Sequence, residues 1–284
     1  MAIRLTSWTR DGLVFDVRDT GPVDGEAVVC LHGFPQDGTA YDDVARLLAA
    51  DGLRVLAPDQ RGYSPGARPG GRSAYALEVL ADDVVALLDR AGVQKAHVVG
   101  HDWGGAVAWF LASRRSNRVC SLTVLSTPHP AAMRAEWWRS TQALRSSYMA
   151  AFQVPVLPEL TVSLAGGGVF AGGLRRAGLS GERAAHYTAR MREPGAMAAA
   201  LGWYRAIPVS RGRGAGRVAV PTTYVVGRRD PFFSSASVRR TADLVTGTYR
   251  VVELDAGHWL PENCAAEVAD AVVAQVRGTV RPGR

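Results

Sequence analysis

The stretch from Ala96 to Leu111 narrows the ways this chain can be built. Ala96-His97-Val98-Val99 is a short β-branched run suited to a buried strand. It breaks at Gly100, and from Gly105 onward Ala106, Val107, Trp109, Phe110 and Leu111 suit a helix packed on that strand. Asp102 falls on the turn between them. The spacing Gly100-x-Asp102-x-Gly104 is that of a nucleophile elbow, where small flanking residues let strand and helix close around a strained reactive side chain. Serine at such a turn takes an acyl group from an ester or amide. A carboxylate is better suited to displacing a leaving group from saturated carbon, which leaves an alkyl ester for water to cleave. Aspartate is also a favoured N-cap, so a helix starting at Trp103 accounts for the residue equally well until the rest of the chain is weighed.

Strands and helices alternate on either side of this turn. Leu13–Arg18 reads as an early strand, and Ala27–Leu31 as a buried one that runs into His32-Gly33-Phe34-Pro35. An amphipathic helix over Tyr41–Leu48 follows, then a strand over Leu53–Pro58 and a glycine- and proline-marked loop, Asp59 to Pro69. Tyr75–Leu88 has helical periodicity, and Leu122–Ser126 makes a strand ended by Pro128-His129-Pro130. This alternation predicts an α/β fold with a doubly wound, mostly parallel sheet, whose ligands bind at the carboxyl ends of the strands.

From about Ala131 to Arg217 the alternation stops. Helical stretches are predicted around Glu136–Ser147, Glu182–Met191 and Met197–Ile207, and the segment reads as a helical cap over the sheet edge. Strands return at Thr222–Gly227 and Tyr249–Leu254, with helices near Ala236–Val245 and Glu262–Val276. The expected division is therefore a core over 1–130 and 218–284 with the cap inserted at 131–217. A chain of 284 residues can bury a core of this size.

Composition excludes several other classes. No apolar run reaches 18 residues, and the first ten residues lack the apolar stretch of a signal peptide, so a cytoplasmic protein with no membrane partner is expected. Cys30, Cys120 and Cys264 are far apart, odd in number and flanked by apolar residues, which fits reduced packing residues rather than a disulfide framework or a metal cluster. The net charge of +7 is carried by scattered arginines, with Lys95 the only lysine. The one local cluster, Arg211 to Arg217, reads as a solvated connection, so no nucleic-acid partner is expected.

Each of the two late strands ends beside a titratable residue. Asp230 follows Val225-Val226-Gly227-Arg228-Arg229, and His258 follows Leu254-Asp255-Ala256-Gly257. Taken singly they are ordinary turn and loop residues. Together with Asp102 they stand after strands in the order nucleophile, acid, histidine. With these motifs the chain resembles the α/β-hydrolase fold over nearly its whole length, and within it the soluble epoxide hydrolases. The supporting segments are His32–Pro35, Gly100–Gly105, Ser126–Pro130 and the Asp230 and His258 loops. Two further segments discriminate more sharply: Ser147 to Pro155 is similar to the first cap-tyrosine motif of that family, and Gly202-Trp203-Tyr204-Arg205 to the second.

The resemblance implies that Asp102 attacks one ring carbon of an epoxide while Tyr148 and Tyr204 hold the oxygen. Phenols, with pKa near 10, stay protonated at neutral pH and can do so beside an ionised carboxylate. It implies that His258, oriented by Asp230, then activates water against the ester. Backbone N–H groups of Phe34 and Trp103 would form the oxyanion hole, worth roughly 3 kcal/mol per donor. The product is a vicinal diol, and neither a metal nor an organic cofactor is required. His32 and His101 are expected to shape turns around that hole. Trp103, Phe152 and Trp203 are expected to contact the substrate, and Trp137, Trp138, Leu157 and Phe170 to add to an apolar lining for a small apolar epoxide. Either a monomer or a homodimer fits. A haloalkane dehalogenase shares the nucleophile but usually has a second halide donor where this chain has Phe34. A non-catalytic binding protein on the same fold is the alternative from another class.

Overall fold

The computed structural model describes residues 3–210 and 214–279; residues 211–213 of the arginine cluster lie outside the described residues. Eight strands form one sheet in the order β1-β2-β4-β3-β5-β6-β7-β8. They are β1 (Ser7–Arg10), β2 (Leu13–Thr20), β3 (Ala27–Leu31), β4 (Arg54–Pro58), β5 (Ala96–His101), β6 (Val119–Leu125), β7 (Thr222–Gly227) and β8 (Tyr249–Leu254). β1 and β2 pair antiparallel, as do β2 and β4, and every other neighbour is parallel.

The central strands are apolar without a polar face because both of their faces are covered. On β3, Val29 and Leu31 join the core that contains α2 (Leu77–Ala91) and α3 (Trp103–Arg114), while Val28 and Cys30 join the core that contains α1 (Asp42–Ala50) and α13 (Ala265–Thr279). That period of two, with helices on each side, is the expected doubly wound arrangement.

Between β6 and β7 lie α4 (Pro130–Glu136), α5 (Gln142–Arg145), α6 (Tyr148–Ala151), α7 (Leu157–Ser163), α8 (Gly168–Arg176), α9 (Gly181–Met191) and α10 (Ala196–Arg205). After β7 come α11 (Ser235–Arg240), α12 (Leu260–Asn263) and α13. The predicted helix over Glu136–Ser147 is broken in the structure. Ser140 Oγ donates to the Glu136 carbonyl and accepts from the Gln142 N–H, so the side chain takes bonds that a continuous helix would give to its backbone. The predicted Glu262–Val276 helix is likewise two helices, parted at Cys264, and Ala236–Val245 is α11 followed by a 3-10 turn over Thr241–Leu244. β1 has no counterpart in the sequence reading; it is fixed by Trp8 stacking on Phe15 at 4.6 Å.

Between β6 and β7, α10 joins the apolar core, and α9 is tied to the sheet edge by ions. On α9, His186 Nε2 lies 2.8 Å and Arg190 Nε 3.3 Å from Asp37, and Arg190 also meets Asp59 at 3.0 Å. Glu193 meets Arg68 at 2.6 Å. Trp203 adds a neutral tie, its indole N–H donating to the Arg61 carbonyl at 2.8 Å. Among the described residues no helix is long and apolar enough to cross a membrane.

Candidate active site

Asp102 stands between β5 and α3 with φ 50° and ψ −120°, a conformation costly for any residue with a side chain. The surrounding glycines make the turn possible: a Cβ on Gly33 would land on Asp102 itself, and one on Gly104 on the Leu31 carbonyl. The carboxylate does not cap its own helix. Instead Oδ1 accepts the Phe34 N–H at 2.9 Å. Burial pushes the Asp102 pKa up, against the pull of His258 and of the Phe34 and Trp103 N–H groups.

His258 reaches the same carboxylate from the loop after β8. Its Nδ1 is 2.8 Å from Asp230 Oδ2, and its Nε2 is 3.7 Å from Asp102 Oδ2. Asp230 is held in turn by the Phe232 N–H on Oδ1 at 2.8 Å. Because the carboxylate accepts, Nδ1 carries a proton and Nε2 is left facing Asp102. Burial opposes charge on His258, but Asp230, followed by Asp102 and Glu262, outweighs it and raises the pKa.

Two cavities meet at Asp102. One, of about 320 Å³, is lined by Phe34, Tyr148, Phe152, Phe170, Tyr204 and His258, among others. The other, of about 440 Å³, is lined among others by Trp103, Met133, Trp137, Met149, Trp203 and Phe233. Tyr148 and Tyr204, on α6 and α10, have ring centroids 6.2 Å apart. Tyr204 packs edge-on against Phe34, Trp103 and Phe152 at 5.5, 5.0 and 4.9 Å. Burial and the Asp102 charge raise the pKa of both phenols, so both keep their protons through the neutral range.

A layer of polar groups backs this surface. His32 Nε2 accepts the Gln60 N–H at 3.1 Å and Nδ1 faces the Gly33 carbonyl at 3.0 Å, an arrangement for a neutral ring; burial lowers its pKa to about 4. His101 Nδ1 lies 2.8 Å from Gln36 Oε1 and Nε2 2.9 Å from the His258 carbonyl. Gln36 also accepts the Gly33 N–H at 2.8 Å. Both histidines thus sit behind the loops that carry Phe34 and His258.

The structure brings Asp102, Asp230, His258, Tyr148 and Tyr204 to one place, with the Phe34 N–H on the Asp102 side chain and Trp103 next to it at the start of α3. Phe152, Phe170, Trp103 and Trp137 line the cavities as expected. Trp203 lines one with its ring, while its N–H is spent on Arg61. Trp138 does not: it is 87% exposed, because the break after α4 turns it outward. The Leu157 side chain lies outside the described residues. Sequence reasoning missed Phe232, whose ring lies 4.7 Å from that of His258, and the pair Gln36 and Glu262. Phe232 stands two residues after Asp230, and the turn Asp230-Pro231 was the available signal. Gln36 and Glu262 are 226 positions apart and gave none.

The chain matches the model of a family described as alpha/beta hydrolase fold over residues 26–263. It is 33% identical over 273 residues to the AB hydrolase superfamily protein YfhM of Bacillus subtilis, covering 94% of this chain and 96% of that one. To epoxide hydrolase A of Mycobacterium tuberculosis it is 30% identical over 311 residues, covering 94% and 95%. The crystal structure of epoxide hydrolase A from Mycobacterium thermoresistibile superposes with a TM-score of 0.78 at 26% identity, over 98% of this chain and 99% of that chain. With its elbow, its strand order and these similarities along almost the entire sequence, the chain belongs to the alpha/beta hydrolase fold family.

Proposed function

We propose that the protein is an epoxide hydrolase that converts an apolar epoxide and water to a vicinal diol through an ester on Asp102. The observation that carries this reading is the meeting of one buried carboxylate with two phenols on the wall of a single apolar cavity, with His258 on that same wall. Relatives and structural neighbours named as epoxide hydrolases support it.

Oδ1 of Asp102 is taken by the Phe34 N–H, which leaves Oδ2 as the attacking oxygen. As the Oδ2–carbon bond forms, the ring carbon–oxygen bond breaks, and the oxygen takes a proton from Tyr148 or Tyr204. Water then loses a proton to His258 Nε2 and adds to the ester carbonyl carbon. The resulting oxyanion is Oδ1, which accepts the Phe34 N–H, with the Trp103 N–H as the proposed second donor. Collapse breaks the bond between that carbon and Oδ2, so Oδ2 leaves with the substrate as the new alkoxide and the oxygen from water stays in the Asp102 carboxylate. The released alkoxide takes the proton from His258, and the second proton of the water, left on the regenerated Asp102 carboxyl, returns to the tyrosine by way of solvent. Residues 131–217 act here as the cap that carries both phenols.

A single turnover in heavy-oxygen water, on a panel of apolar epoxides headed by styrene oxide, tests the reading. The expected result is solvent oxygen in the Asp102 carboxylate, read by mass analysis of the peptide that contains it. Label in the diol alone would mean direct attack by water and would sink the ester route. Halide release from haloalkanes without diol from any epoxide would move the protein to the dehalogenase alternative.

A further inference from the structure

One carboxylate beside the catalytic histidine takes no part in the scheme above. Glu262 lies on α12, one helical turn beyond His258. Its Oε1 accepts the Gln36 Nε2–H at 2.7 Å and the Tyr187 O–H at 3.0 Å, while Oε2 is shielded from solvent with no hydrogen-bond partner among the described residues. An amide can sit in its site in two orientations related by a flip, and the carboxylate permits one: Nε2 toward Glu262, Oε1 toward the Gly33 N–H and His101. Through that single amide Glu262 is joined to both halves of the site. One branch runs to the Gly33 loop, which carries the Phe34 donor, and the other to His101, a ring that burial keeps neutral and that packs against the His258 carbonyl with its single N–H serving one of its two acceptors.

The charge has a second consequence. His258 faces three carboxylates in the resting site, those of Asp230, Asp102 and Glu262. Ester formation neutralises Asp102 at the stage when His258 must accept a proton from water. Two remain, and only Asp230 among them touches the ring.

We propose that Glu262 is a positioning residue for the ester-hydrolysis half of the reaction, fixing the Gln36 amide and supplying negative charge that His258 still faces once Asp102 is esterified. This rests on the two-step reading above. Removing an unpaired buried oxygen from a purely structural site would be neutral or stabilising, whereas here it slows one chemical step.

The test uses the full chain and the panel epoxide it turns over fastest, with rapid quenching to follow ester and diol separately. In Glu262→Gln, which keeps the volume and an acceptor for Gln36, ester formation is expected to stay within about twofold and ester hydrolysis to slow about tenfold, so the Asp102 ester accumulates. The groups facing Glu262 are His258, Tyr41, Tyr187 and Arg183, with His101 behind Gln36. Burial raises the Glu262 pKa, so the gap between wild type and variant should close as pH falls and the wild-type carboxylate takes a proton. Tyr187→Phe keeps the charge but removes one donor to it, and should move the acid limb of hydrolysis to higher pH. The exchange Gln36→Glu with Glu262→Gln returns a carboxylate to the cluster and should restore hydrolysis. Hydrolysis within twofold of wild type at every pH in Glu262→Gln, or equal slowing of both steps, would overturn the proposal. If Glu262→Gln does not fold, an acid limb unmoved in Tyr187→Phe overturns it instead. Absence of any ester in the wild-type protein would show instead that the two-step reading itself has failed, and the role proposed for Glu262 with it.

Discussion

The two halves of the site are held by different means. Asp102, Asp230 and His258 each stand just beyond the end of a parallel strand, and the two carboxylates are held by main-chain N–H groups of Phe34 and Phe232. The phenols are on α6 and α10; α10 is held by buried apolar side chains and the Trp203 N–H on the Arg61 carbonyl, and its neighbour α9 meets the sheet edge through ion pairs of His186 and Arg190 with Asp37 and Asp59. Even between these two helices the supports differ. Tyr204 is buried on a ten-residue helix, whereas Tyr148 is half-buried on a helix of four residues between turns. In the proposed reaction the bond-making groups stand at strand ends, and the groups that would polarise the leaving oxygen stand on helices whose neighbour α9 is attached by ions open to pH and salt.

The largest effect should come from the core half. Asp102→Ala is expected to lower diol formation by about 10⁴-fold or more with no ester on the enzyme, whereas His258→Gln should still form the ester and stall there. Mass analysis after mixing with excess epoxide separates the two. Ester in the first variant, or none in the second, would break the assignment of roles.

Changes to the phenols should cost less, since each removes one of two donors. Tyr148→Phe and Tyr204→Phe are each expected to slow ester formation by about 10- to 100-fold, and the double variant by more, while ester hydrolysis changes little. Rapid-quench rates decide the matter. A loss in the hydrolysis step equal to that in ester formation would mean that the rings support the core rather than polarise the epoxide.

The smallest effect probes the ionic attachment. The Asp37 carboxylate, with Thr39, Arg190 and Arg183 around the pair, raises the His186 pKa above its ordinary 6.5, chiefly through the hydrogen bond. A raised folded value means that the pair stabilises fully below about pH 6.5 and that this contribution is lost as pH rises through the folded pKa. His186→Gln should therefore lower Tm by about 1–2 °C near pH 6 and by less near pH 8, as suits a partly exposed ion pair. A deficit that grows with pH would show that His186 is not charged in the folded protein.

Much of this was written plainly in the chain. Gly100-His101-Asp102-Trp103-Gly104 predicts the turn because only small neighbours let β5 and α3 approach so closely, and the late strands predict Asp230 and His258 because each ends at a turn. The cap was harder to read. A helical period from Glu136 to Ser147 does not reveal that the Ser140 hydroxyl will compete with the backbone, and with that break Trp138 turns to solvent. Trp8 likewise gave no strand signal of its own, because β1 is fixed by its ring stacking on Phe15 of the strand read over Leu13–Arg18. The polar layer was not legible at all, since the meeting of Gln36 with Glu262 is a product of the finished fold.

Phe34 serves the site twice, giving its amide proton to Asp102 while its ring walls the cavity beside Phe152, Phe170 and Tyr204. Since the proton belongs to the main chain, any residue but proline at this position supplies it. A library at position 34 can thus recut the wall, and the support of the Tyr204 ring with it, while the main-chain grip on Asp102 is inherited unchanged.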